Sequence, residues 1–81
     1  MKMEVVGIKK NEYVSKKTGE VVKSDTLYCT YRKNGIDGIG VCEIFLNESR
    51  KNLYGIEPVI GTVINVERNE RGYIDDIEIV D

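Results

Sequence analysis

The sequence predicts an all-β domain: five short antiparallel strands with one short helix between the third and the fourth. Three observations predict it. Apolar and polar residues alternate along most of the chain, and helical periodicity is scarce. Turn-forming clusters punctuate the alternating runs, notably Lys16-Lys17-Thr18-Gly19, Asn34-Gly35 and Asn69-Glu70-Arg71-Gly72. Residues 47–54 alone break the pattern, in a way that suits a helix.

Residues 3–15 read as a long first strand, with Gly7 placed inside it as glycine is at a bulge or a sharp bend. Lys16-Lys17-Thr18-Gly19 forms the next turn, Gly19 suiting a left-handed position. Strand two covers 20–33 and ends at Asn34-Gly35, the strongest short hairpin signal in the chain. Strand three covers 38–46. In residues 47–54, Asn47 suits an N-cap, Glu48 a first turn and Arg50-Lys51 a last turn, so one or two turns of helix are expected. An irregular link through Gly55 and Pro58 leads to strand four at 61–68. The turn ending in Gly72 leads to strand five at 73–80. Three strands, a helix and two strands is the order of the OB-fold, so a five-stranded antiparallel OB-fold barrel spanning residues 1–81 as one domain is expected. An SH3-like barrel is the alternative; it tends to have only a short helical turn before its last strand, which fits residues 47–54 less well.

Composition narrows the function. A chain of 81 residues with no Trp and one Phe buries only about 60% of its unfolded surface, so help from a second subunit is expected. There is no His, which removes the commonest general base and the commonest metal ligand. Cys29 and Cys42 stand too far apart to make a zinc site. Asp75, Asp76 and Glu78 are of the type Mg²⁺ favours, but neighbours on a strand point to opposite faces and no nucleophile or base accompanies them. No catalytic residue, cofactor or metal is therefore expected. Met1-Lys2-Met3-Glu4-Val5 lacks the apolar run of a signal peptide, and no segment approaches the roughly 18 apolar residues of a membrane span. A cytoplasmic protein with reduced thiols is the expectation.

The net charge of −2 hides a split along the chain. Residues 1–35 carry eight basic residues against four acids, a balance of +4; residues 36–81 carry four against ten, a balance of −6. A basic stretch in an acidic protein marks a local footprint for an anion, most often nucleic acid.

The Asn34-Gly35 hairpin sets which side chains share a face. A two-residue loop pairs Cys29 with Gly40, and a four-residue loop pairs Cys29 with Cys42; both leave the faces unchanged. One face carries Leu27, Cys29, Tyr31, Gly40, Cys42, Ile44 and Leu46 and is the expected core, with Tyr31 covering bare backbone near Gly38 or Gly40. A Cys29–Cys42 disulfide fits only the second register, and a reducing compartment argues against it. The other face carries Tyr28, Thr30, Arg32, Val41, Glu43 and Phe45. Aromatics beside a cation on a strand face make a platform on which bases stack while Lys or Arg follow the phosphates. The plainer reading is that Tyr28 and Phe45 pack across strands or under a partner. Lys16 and Lys17 lie in the turn between strands one and two, and Arg68, Arg71 and Tyr73 lie around the turn between strands four and five. In an OB-fold these loops flank an oligonucleotide groove floored by strands two and three.

The layout resembles the small single-stranded-DNA-binding proteins of filamentous phages, the gene V type. The resemblance is carried by Ser15-Lys16-Lys17-Thr18-Gly19 leading into Leu27-Tyr28-Cys29-Thr30-Tyr31, by Glu43-Ile44-Phe45-Leu46-Asn47-Glu48, by Tyr54 and Gly61-Thr62-Val63, and by the closing run from Gly72-Tyr73 to Val80. It implies an OB-fold homodimer that coats single-stranded DNA without strong sequence preference, in a phage or mobile element. A hairpin wing with cations and a Tyr contacts DNA in that family, which by position implies Lys16, Lys17, Lys23 and Tyr28; an aromatic before the last strand implies Tyr73. The family tends to carry arginines in its last strand, where this chain has Asp76 and Glu78. The competing expectation is a protein-interaction barrel whose acidic run Asp75, Asp76, Glu78 and Asp81 faces a basic partner. In the ordinary reading of that run, it belongs to a last strand with Ile77 and Ile79 turned inward.

Overall fold

Alternation along the chain produces the five strands and one helix in the expected order. The structure, a computed structural model, describes residues 1–80. The elements are β1 (Lys2–Val14), β2 (Val21–Tyr31), β3 (Gly40–Asn47), α1 (Glu48–Tyr54), β4 (Val63–Arg68) and β5 (Ile74–Ile79). They form one antiparallel sheet in the order β3-β2-β1-β4-β5. The sheet is not closed: β3 and β5 are its two edges, so the barrel closure expected from the element order is absent from the hydrogen-bond ladder.

β1 is the spine, and its bulge decides what each half does. The register with β2 slips between Val5 and Gly7. Before the slip, Met3 and Val5 are buried. Unbroken alternation would next send Gly7 and Lys9 inward. The extra residue turns Ile8 inward instead, where it packs against the core. The first half of β1 pairs on both sides, with β2 and with Asn65, Ile64 and Val63 of β4. The second half, out to Val14↔Val21, pairs with β2 alone and forms a two-stranded ribbon. Ser15 N–H donates to the Glu20 carbonyl at 2.8 Å and closes it. The molecule is elongated accordingly, 46 × 26 × 21 Å.

All five strands supply the core: Met3 and Val5, Leu27 and Cys29, Ile44 and Leu46, Ile64 and Val66, and Ile77, with Ile56 from the link after α1. β2 and β3 adopt the second of the two registers, Cys29 opposite Cys42. Both thiols are free. Burial first, then the neighbouring Cys42, pushes the Cys29 thiol up to about 11. The ladder ends at Tyr31↔Gly40, so the strands are shorter than the sequence suggests and the Asn34-Gly35 turn sits inside a longer loop, 32–39. Tyr31 lies over Gly40: a Cβ added there would meet the Tyr31 ring at 2.5 Å. Gly40→Ala is expected to cost about 1–3 kcal/mol by forcing that ring out of place. Urea denaturation reads this directly, and an unchanged midpoint would show that the ring moves aside freely.

The helix forms where expected. The Asn47 side chain accepts from Arg50 N–H at 2.8 Å, and Gly55, with φ at +66°, donates its N–H to the Lys51 carbonyl at 2.9 Å. α1 buries none of its residues fully. It is held by Lys51, whose ammonium lies 2.9 Å from the Asp25 carboxylate, and by the Tyr54 hydroxyl, which donates to the Ile74 carbonyl at 3.5 Å. β5 buries Ile77, but Ile79, expected inward, is 44% exposed. The physical reason is the open edge: no strand lies beyond β5 to cover it.

Candidate functional site

The outward side of β2 and β3 is built by the register just described. Tyr28 stands opposite Gly7 on β1 and Glu43 on β3; Thr26 stands opposite Lys9 and Phe45. Directly opposed residues share a face, so Tyr28 and Phe45 are diagonal neighbours, within reach of one another's rings. Phe45 is 59% exposed and Tyr28 is 37% exposed. Val41, opposite Thr30, is 74% exposed on the same side. Gly7 leaves open the space beside Tyr28, where a Cβ would lie at ordinary contact distance, 3.5 Å, from its side chain.

The bulge adds three residues to this face that sequence reasoning missed. Past Gly7 the outward set on β1 becomes Lys9, Asn11 and Tyr13. Lys9 thus lies in the row of Thr26 and Phe45, and Tyr13, exposed and opposite Val22, extends the face along the ribbon. Asn11 braces it, its side-chain amide donating to the Thr26 hydroxyl at 3.2 Å. Residues 7–23 hold five Lys against two Glu, so the ribbon is the most basic projection of the molecule. Lys16 and Lys17 are exposed at its tip.

Three sequence-predicted residues fall elsewhere. Lys23 pairs with Glu12 and points to the other side of the ribbon, into a concavity lined with Lys10, Asp25, Glu48 and Lys51. The separation of Lys23 from Tyr28 by five positions, an odd number, already carried that signal. Arg68 donates to the Gly72 carbonyl at 3.0 Å and is near enough to Cys42 to offset part of the rise that burial imposes on that thiol. It braces the β4–β5 turn from within. Arg32 lies beyond the last paired residue of β2, exposed in the 32–39 loop.

Arg71 and Tyr73 are presented by an Asn69-centred turn. The Asn69 side-chain oxygen accepts from the N–H groups of Arg71 and Tyr73 at 2.9 and 3.0 Å, and Gly72 takes φ at +84°. Tyr73 is 68% exposed. β4 runs antiparallel to the start of β1, so this turn lies near β1's beginning and the Lys16-Lys17 turn at its far end. The twelve residue steps of β1 separate them by about 40 Å if straight. The outward face of β2 runs between the two.

Opposite that face, Asp25 is buried between Lys51 and Lys10, 2.9 and 3.5 Å from its Oδ2. Burial alone would raise its carboxyl. The Lys51 hydrogen bond, then the charges of Lys51 and Lys10, outweigh burial and hold it below the ordinary aspartate value. Within the concavity beside Lys23, Asp25 is thus paired with Lys51 and Lys10 as a structural ion cluster. On β5, Asp75, Asp76 and Glu78 are exposed; Asp81, the last of the acidic run, lies outside the described residues. Among the described residues, no helix is long and apolar enough to cross a membrane. The chain matches no protein-family model, no curated protein and no solved structure.

Proposed function

We propose that this chain is a non-catalytic single-stranded-DNA-binding protein that uses the outward face of β2 and β3 together with the β1–β2 ribbon. The observation that carries the reading is the placement of Lys9 in one cross-strand row with Phe45, diagonal to Tyr28. Bases stack on Tyr28 and Phe45, and Lys9, Lys16 and Lys17 follow the phosphates. Tyr13 lengthens the stacking track toward the ribbon tip; Arg71 and Tyr73 serve its other end, and Arg32 its loop margin. Duplex DNA buries its base faces, so a stacking platform selects single strands. The resemblance to the gene V type extends this to an OB-fold homodimer of a phage or mobile element, with DNA preferred to RNA. A protein partner is the second reading, favoured by the exposed carboxylates of β5.

Anisotropy of labelled oligo-dT against a matched duplex tests the proposal. With three or four phosphates neutralised, log K against log salt falls with a slope of about −2 to −3. Absence of salt-sensitive binding to the single strand would overturn it.

A further inference from the structure

The two charged halves of the chain end on two unpaired strand edges. Beyond Val5, whose N–H and C=O reach Thr62 and Gly61, the side of β1 away from β2 has no ladder partner. β5 pairs with β4 on one side only. Unpaired backbone of this kind accepts an added strand. The β1 edge from Gly7 to Val14 belongs to the basic ribbon, with Lys9 and Lys10 on it and Lys16 and Lys17 just past it. The β5 edge carries Asp75, Asp76 and Glu78 and no basic residue. The Ile74 carbonyl is taken by Tyr54, and the remaining five residues of β5, 75–79, fit within the eight of the free β1 segment.

We infer that the occupant of each edge is a second copy of this chain: β5 of one copy adds to the ribbon edge of β1 in the other. Two such contacts, exchanged reciprocally, close a two-fold dimer. The alternatives are disfavoured by charge. β5 against β5 sets three carboxylates against three, and β3 against its own copy brings Glu43 toward Glu43, whereas the ribbon and β5 carry opposite signs. Exposed ion pairs contribute little each, but a row of them adds to the main-chain hydrogen bonds, and the charges also select the partner and its speed of encounter. The contact also covers part of Ile79, which is 44% exposed at the open edge. The inference rests on the homodimer of the proposed reading and shares Lys9 and Lys17 with its phosphate track; because it is read without nucleic acid, its failure and a failure of oligo-dT binding are distinguishable.

Sedimentation velocity of the full chain tests it. At about 50 mM salt the wild type should sediment as a dimer, and at about 500 mM, where charges act over only a few ångströms, it should move toward monomer. A variant with Lys9→Glu and Lys17→Glu, and a second with Asp76→Lys and Glu78→Lys, should each be monomeric alone, because both edges then carry one sign. Mixed in equal amounts they should form a heterodimer, since both reciprocal contacts regain opposite charges. A wild type that is monomeric at low salt, variants that dimerise unmixed, or a mixture of folded variants that stays monomeric would each overturn the inference. The wild-type salt series needs no substitution and decides even if a variant fails to fold.

Discussion

Replacing Tyr28 and Phe45 together by Ala will weaken oligo-dT binding by roughly a thousandfold while leaving its salt slope unchanged. Base–aromatic stacking contributes about 1–3 kcal/mol per ring; two rings at about 2 kcal/mol each give that factor. Neither side chain is part of the buried core, so the loss is not expected to come from unfolding. Counterion release depends only on the phosphates neutralised, and the stacking pair neutralises none. Lys9→Ala, Lys16→Ala and Lys17→Ala in one chain should do the converse and flatten the slope by about 2, at roughly 0.7 per phosphate. The two experiments separate the platform from the ribbon. An unchanged slope in the triple lysine variant would place the phosphate track elsewhere. Undiminished affinity in the aromatic variant would return Tyr28 and Phe45 to a packing role under a partner. Lys23→Ala is the internal control: it points away from the face and should change the slope less than Lys9→Ala.

Asp25→Asn is expected to cost about 2–3 kcal/mol of folding stability at neutral pH. Asp25 is the buried carboxylate to which α1 is tethered, and its loss leaves Lys51, itself largely buried, without its closest partner. The pH dependence follows from the direction of the shift. The folded carboxyl titrates below the ordinary aspartate value, so its contribution is present above the unfolded value, near 3.9. It is lost as pH falls through the lower folded value. Lys51 is shifted upward, first by its hydrogen bond to Asp25. Its contribution is full below the unfolded lysine value and fades only as pH rises through the higher folded one. Urea midpoints should therefore show a constant gap between wild type and Asp25→Asn from about pH 5 to pH 9, closing as the solution is acidified below about pH 4. A gap that persists at pH 2 would show that the variant loses packing rather than charge.

The element order, the helix with its Asn47 cap, and the division of β2 and β3 into a core face and an outward face were legible in the residues. Each depends on neighbours close along the chain: alternation of period two, turn chemistry and capping. The same locality explains what was not legible. Turn chemistry at Asn34-Gly35 leaves two registers of equal parity, and the packing of Tyr31 over Gly40 accompanies the one in which Cys29 meets Cys42. Closure of the sheet is a pairing between β3 and β5, distant in sequence, and the open arrangement has no local signature.

The candidate face divides along the same line. Tyr28 and Phe45 were found from alternation and one hairpin, and the side on which Lys23 falls follows from counting along β2. Lys9 and Tyr13 were not found: Gly7 marked a bulge or a bend in the first strand, but not which residue is the extra one, and so not the side on which Lys9 and Tyr13 fall. Only the tertiary structure, which inserts one residue between Val5 and Gly7, turns Ile8 into the core and Lys9 and Tyr13 out beside the aromatics. A bulge costs a ladder position and is offset by turning Ile8 rather than Gly7 toward the core opposite Leu27, a balance set by the core on the far side of the sheet.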